Sequence, residues 1–390
     1  MYPPGSILTR ESIHRPADPD SGASIVQLTS SPAIHSSIYG EWPWMDGESR
    51  YVLLLRAPVS HGPFEVWRAD LQDHLLVFVC SDVQWLLGAA VSPDQRYFFC
   101  MRAANPQGET QRWNQRGMTL VRTDIATLEQ DEIDMPDAPR PQSMLSVSPD
   151  GRTFIYGHAF GPERFGIIEA DLVQRTWRLI HEDPEICNPH PMIEPGAGKA
   201  YLVQHNRGCQ FAPDGRCLHL VRPPGATLYL IDAQGNKTQL PVGEPWTAPV
   251  QGHQCWIGMT GEILLTTSGP ATEEFVQQGN LLAVRPGDEQ ARVAARGHLY
   301  CHPNASRDGR FFVADVRAEG TPLVVGSLRT GRNRVLCRTG ASLSRPQYTH
   351  PHPYFSPDRR WVVYTSDATG VPHVYAARVP DGLLEELEDD

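Results

Sequence analysis

Short apolar runs recur along the chain, each introduced by the same polar turn. The turn reads Ser92-Pro-Asp-Gln-Arg96, Ser148-Pro-Asp-Gly-Arg152, Ala212-Pro-Asp-Gly-Arg216, Ser306-Arg-Asp-Gly-Arg310 and Ser356-Pro-Asp-Arg-Arg360. Weaker copies stand at Met45-Asp-Gly-Glu-Ser49 and Met259-Thr-Gly-Glu262. Proline pre-sets one backbone angle, aspartate caps the turn, and glycine accepts a positive angle. An apolar strand is predicted after each copy, as at Tyr51–Leu55, Tyr97–Met101, Thr153–Tyr156, Phe311–Ala314 and Trp361–Tyr364. A second strand follows, as at Phe64–Asp70, Phe165–Asp171, Thr227–Asp232 and His373–Arg378, and then a third, as at Thr176–Ile180 or Arg334–Cys337.

Seven turn copies between residues 45 and 356 give an average step of about 52 residues. That is the period of a propeller blade. Strands and turns at this spacing could also build a stacked sandwich, but seven copies along the whole chain favour the ring. The predicted fold is an all-β, seven-bladed β-propeller filling residues 1–390 as a single domain. The strand near residues 24–29 is expected to close the last blade, and the acidic stretch Leu383–Asp390 to be solvated.

Composition narrows the function. Lys and Arg number 34 against 45 Asp and Glu, a formal charge of -11, which argues against nucleic acid as a partner. An anionic substrate would need a local positive charge. No apolar run approaches the roughly 18 residues of a spanning helix, and the first residues lack a secretory pattern, so a cytoplasmic protein is expected. The eight cysteines are scattered without zinc-ribbon spacing. No Gly-x-Ser-x-Gly elbow, Gly-rich phosphate loop or His-Glu-x-x-His helix is present. The repeated aspartates read as turn formers. Trp42, Trp44 and Trp256 could stack on a sugar, though packing between blades suits them better.

Histidines carry the chemistry. The innermost strand of each blade precedes its turn. Counted back from the first residue of the turn, His350 and His352 lie six and four residues upstream of Ser356, on one strand face. His302 lies four upstream of Ser306, and His253 six upstream of Met259. Blades one to four carry no histidine at either offset; Glu41, Gly88, Gln142, Met144, Asn206 and Gly208 stand there. Imidazoles converging from neighbouring strands suit a divalent ion, and Gln347 could add an oxygen. Mn2+ fits such a mixed set, but spacing alone does not separate it from Zn2+, Fe2+ or Ni2+.

The segment Gln347-Tyr-Thr-His-Pro-His-Pro-Tyr-Phe-Ser-Pro-Asp358, followed by Val362–Asp367, resembles the C-terminal signature of the oligogalacturonate lyases, polysaccharide lyase family 22. Gly252-His-Gln-Cys-Trp256 resembles that family's Gly-His-Glu-Phe-Trp segment, and Cys301-His302 leading into Ser306–Gly309 resembles its next blade. The likeness is loose over the whole chain, including the opening Gly22–Thr29 strand, and strongest from Gly252 onward. It implies a cytoplasmic, Mn2+-dependent enzyme that splits short pectin fragments by β-elimination. The implied ligands are His302, Gln347, His350 and His352, with His253 as the base.

One departure bears on the substrate. The family has an arginine about 25 residues before the base, in a Gln-Arg-Ile-Trp-like strand; here Ala226 or Thr227 occupies that position. The family's His-Glu-Gly-Pro stretch is replaced by His219-Leu-Val-Arg-Pro-Pro224. Arg222, Gln210 and Trp256 remain as candidates for the substrate side. The expected substrate is an oligogalacturonate or a related glucuronate- or rhamnose-linked oligosaccharide. The alternatives are a catalytically silent propeller that binds carbohydrate or protein, and metal-dependent hydrolysis or isomerisation in the same funnel.

Overall fold

In four of the repeated turns the serine hydroxyl both bonds the aspartate and accepts the N–H that opens the next strand. Ser92, Ser306 and Ser356 hold Asp94, Asp308 and Asp358 at 2.5–2.6 Å, and Ser148 holds Asp150. Tyr97, Thr153, Phe311 and Trp361 donate back to those serines at 2.8–3.0 Å. The residue at the glycine position is left-handed in every such turn, with φ of 68° at Gly151 and 71° at Gly309, but also 60° at Gln95 and 62° at Arg359. A side chain is therefore tolerated at a position where glycine is merely the easiest fit.

Each turn reverses the chain into a meander, and the meanders form seven antiparallel sheets, the blades of an all-β propeller. This computed structural model describes residues 2–37, 39, 43–57, 63–84, 89–103 and 113–389. Blade five is representative, running Val250–Trp256, Ile263–Thr267, Leu281–Val284 and Arg292–Ala295 from the funnel outward. Apolar side chains pack between neighbouring blades: Phe312 and Val324 of blade six lie in one cluster with Leu264 and Leu281 of blade five. The ring closes as expected, because Ile25–Gln27 pairs with His373–Arg378 of blade seven. Ile13–Arg15 adds a further strand to that edge, and Leu8–Thr9 adds one to blade one. Among the described residues no helix is long and apolar enough to cross a membrane.

Two expectations are corrected. The copy at Ala212 is not the inner turn of blade four. It closes a hairpin of Gln210–Phe211 and Cys217–His219, inserted between the blade strands Ala200–His205 and Thr227–Asp232. The inner turn of blade four is Glu194-Pro-Gly-Ala-Gly198, where the Glu194 carboxylate takes the capping role and accepts from the N–H groups of Gly196, Ala197 and Gly198 at 2.6–3.0 Å. The acidic tail is not free in solvent either, although Glu385, Glu386 and Asp389 are exposed. Leu383–Glu388 is a helix whose Leu384 and Leu387 are buried against Val325 and Leu336 of blade six and Val379 of blade seven, with Glu388 paired to Arg310. Leu387→Ala is expected to cost about 2–3 kcal/mol by leaving a void at a site only 2% exposed. A fall in the urea midpoint at constant slope checks it.

Candidate active site

The funnel register becomes uniform once each blade is numbered from the residue whose N–H closes its inner turn. Ser306 bonds Phe311 O, Ser356 bonds Trp361 O, Ile257 bonds Glu262 O and Glu194 bonds Ala200 O, each at 2.8 Å. Four residues upstream of these lie His302, His352, His253 and His190. Blades four to seven thus each present one histidine at the same height. In blade three Ser148 is the equivalent, and Met144 stands in the histidine position. The corresponding positions of blades one and two, Trp42 and Gly88, lie outside the described residues, as does Glu41.

These side chains line an open cavity of about 50 Å3, with Tyr39 on its wall. The rings of His302 and His352 are 3.8 Å apart between centroids, those of His302 and His253 4.2 Å, and Tyr39 stands edge-on to His352 at 4.3 Å. The ligand nitrogens of His253, His302 and His352 all lie within 4.8 Å of one another. His350 is one step out, 5.3 Å from His302 and stacked on His352 at 5.9 Å. Strand alternation does not bring that pair together. His350 caps a short 3-10 turn, Gln347–Thr349, and His352 sits at φ 41°, so the strand begins only at Tyr354. His190 adopts the same unusual backbone at φ 40°. Like His352 it precedes a proline.

Hydrogen bonds fix which nitrogens are free. His302 donates Nδ1–H to Asp315, at 2.8 and 3.0 Å from the two oxygens, and its backbone N–H bonds the same carboxylate. Nε2 is left as the nitrogen a metal ion could take, with Cys301 Sγ 3.7 Å away. Burial alone would lower the His302 pKa, but Asp315 and Cys301 outweigh it and push it up to about 10. A site that favours a proton so strongly also favours a metal cation, and a carboxylate behind a ligating histidine is the usual support. His350 donates Nε2–H to Ser344 O at 2.9 Å, which leaves Nδ1 as a buried lone pair without a partner. Gln347 Oε1 is 3.3 Å from His352 Nε2. These donors fit a divalent cation of the kind that accepts mixed imidazole and carbonyl ligands.

The remaining histidines stay neutral. Burial, together with the positive field of neighbouring imidazoles, holds His253 and His352 well below the ordinary range. Burial lowers His190 to about 4. Its Nε2 lies 3.0 Å from Asn188 Nδ2, which makes Nε2 the acceptor and Nδ1 the donor. His253 stands on a bulge between Val250 and Gln254, made possible by Gly252 at φ 95°. A Cβ on Gly252 would approach Gln204 Oε1 to 2.9 Å, so no other residue fits that bend without a shift.

The substrate-side candidates fare differently. Trp256 is packed in the core between blades four and five and only 8% exposed, as the packing reading has it, and it is not among the cavity-lining residues where a substrate-binding role would place it. Trp44 is likewise buried, edge-on to Phe98. Gln210 and Arg222 are exposed on the inserted hairpin and do not line the cavity. At the position of the expected arginine, Ala226 and Thr227 are buried, Thr227 bonding Val242 O. Sequence reasoning missed His190, Tyr39 and Asp315. It also missed Gln254 and Asn304, cavity-lining residues whose buried amide oxygens have no protein partner.

The fold and site define a seven-bladed propeller with a histidine-lined funnel. Two solved structures share that fold: an oligogalacturonate lyase in complex with manganese (TM-score 0.74, 18% identity, 98% of this chain and 99% of that one) and an oligogalacturonate lyase from Vibrio parahaemolyticus (TM-score 0.73, 18% identity, 96% and 99%). At that identity the likeness is one of fold. In sequence, 65 residues are 40% identical to the oligogalacturonide lyase of Pectobacterium atrosepticum, and 67 residues are 37% identical to the oligogalacturonate lyase of Dickeya dadantii. Each match spans 16% of this chain and 17% of the relative. No protein-family model matches the chain. The resemblance read from the sequence therefore holds in fold throughout and in sequence over one segment.

Proposed function

We propose that the chain is a metal-dependent lyase that cleaves a uronate-containing oligosaccharide inside the cell by β-elimination. The observation that carries this reading is the buried His302–Asp315 pair at the centre of four histidines in one register. His302, His350, His352 and Gln347 would hold the cation, Mn2+ or another divalent metal. When bound, such a cation supplies a Lewis acid for the uronate carboxylate, where charge builds as the proton at C5 leaves.

The chain's own residues do the rest. Neutral His253 accepts the C5 proton on a ring nitrogen. The C5–H electrons become the C4=C5 double bond, and the C4–O pair departs with the leaving sugar, which takes a proton from the imidazolium or water. His190 offers Nδ1–H, and Gln254 and Asn304 offer unpaired amide oxygens, to sugar hydroxyls in the cavity. Ala226 and Thr227 are buried where an arginine is expected, so blade four offers the substrate no guanidinium, and the candidate substrates span oligogalacturonate and related glucuronate- or rhamnose-linked oligosaccharides.

The test is ultraviolet absorbance on a panel of galacturonate, glucuronate and rhamnose-linked oligosaccharides, with chelator and with Mn2+ restored. The expected result is a rise on at least one member that chelator stops and Mn2+ recovers. A flat trace across the panel from metal-loaded protein would move the reading to a carbohydrate- or protein-binding propeller.

A further inference from the structure

The loss of the expected arginine leaves an anionic substrate without its cationic partner on blade four, on a chain of formal charge -11. Arg207 is near that place but is consumed, its guanidinium donating to Gly225 O, Glu244 O and Pro224 O at 2.6–3.3 Å. A replacement comes from the opposite side of the site. The second strand of blade six, Phe311–Asp315, continues its ladder past Asp315: Val316 bridges Tyr300, and Arg317 N–H bonds Leu299 O at 3.0 Å. Side chains two apart on a strand share a face. Val316 points into the blade core, while Asp315 and Arg317 face the other way. Asp315 holds His302, so Arg317 stands about 7 Å further along the same face. It is exposed, and its guanidinium forms no hydrogen bond or ion pair among the described residues. After burial and the neighbouring imidazoles, its positive field is among the influences that hold both His253 and His350 low.

We propose that Arg317 receives a second carboxylate of the substrate, on the sugar next to the one that is cleaved, so that the chain selects oligouronates over uronates flanked by neutral sugars. This rests on the lyase reading above. A guanidinium recognises a carboxylate through paired N–H donors. Arg317 takes the role that the missing arginine would have had, but from blade six. The bound chain would therefore run from the His253 side toward blade six.

The experiment compares wild type, Arg317→Ala and Arg317→Lys, all loaded with Mn2+, on digalacturonate and on a disaccharide of a uronate linked to rhamnose. Arg317→Ala is expected to raise KM for digalacturonate about 10- to 100-fold, with kcat changed by less than about threefold. KM for the rhamnose-linked substrate should not move, and Arg317→Lys should recover part of the loss. An unchanged KM for digalacturonate, an equal shift on both substrates, or turnover confined to the rhamnose-linked one overturns the proposal. If wild type cleaves neither, the wider panel decides the lyase reading, and calorimetry with digalacturonate decides the Arg317 assignment separately. A Kd weakened about 10- to 100-fold by Arg317→Ala keeps the carboxylate assignment; equal binding, or none, removes it.

Discussion

Replacing His253 with alanine is expected to lower kcat by about 10²- to 10⁴-fold while the protein keeps its wild-type metal content. The variant separates two roles that geometry alone leaves side by side, because the His253 ligand nitrogen is as close to those of His302 and His352 as a shared ion would require. His253 is neutral, held low by burial and by the imidazoles around it, and the raised group in the cluster is His302. His253 also sits on a separate bulged strand, whereas Gln347, His350 and His352 come from one continuous segment. Removing it leaves four donors in place. The checks are elemental analysis and the rate of unsaturated-product formation, with circular dichroism to establish the fold. Metal lost in parallel with activity would make His253 a ligand, and the base would have to be sought elsewhere on the cavity wall.

The propeller was legible because its signals are local. Period-two apolar runs and Ser-Pro-Asp-x-Arg turns are stabilised within a few residues, so the sequence states them directly. The register of His302 and His352 followed from the same turns. His190 was hidden because a stronger copy of the turn, at Ala212, closes the inserted hairpin, while the true inner turn of blade four uses Glu194 in place of aspartate. A better signal was available: His190-Pro191, His302-Pro303 and His352-Pro353 each precede two residues of inner strand and a turn. Asp315 was not legible, since its role depends on a pairing across the blade that no spacing encodes. The docked tail was masked by composition. Its acidic residues suggested solvation, but Leu383, Leu384 and Leu387 recur at helical spacing and supply an apolar face.

His350→Ala and His302→Ala should both strip the metal and stop turnover, yet differ sharply in what they do to the fold. His302 and Asp315 form a buried pair, the carboxylate wholly inaccessible, so alanine at 302 strands a charge and is expected to cost about 3–5 kcal/mol. His350 is half-buried and neutral, and its side chain bonds the Ser344 carbonyl. Its removal should change metal-free stability by less than about 1 kcal/mol. The cleaner variant is therefore His350→Ala: a folded protein with an unchanged urea midpoint in chelator, no retained Mn2+ after gel filtration, and no absorbance rise. A full equivalent of metal in that variant would remove His350 from the ligand set. Asp315→Asn completes the series from the other side. The amide keeps a hydrogen bond to Nδ1 but loses the charge behind it, so Mn2+ affinity should fall about 10- to 100-fold and turnover should recover as Mn2+ is raised. Recovery at high metal distinguishes a weakened site from a misfolded one.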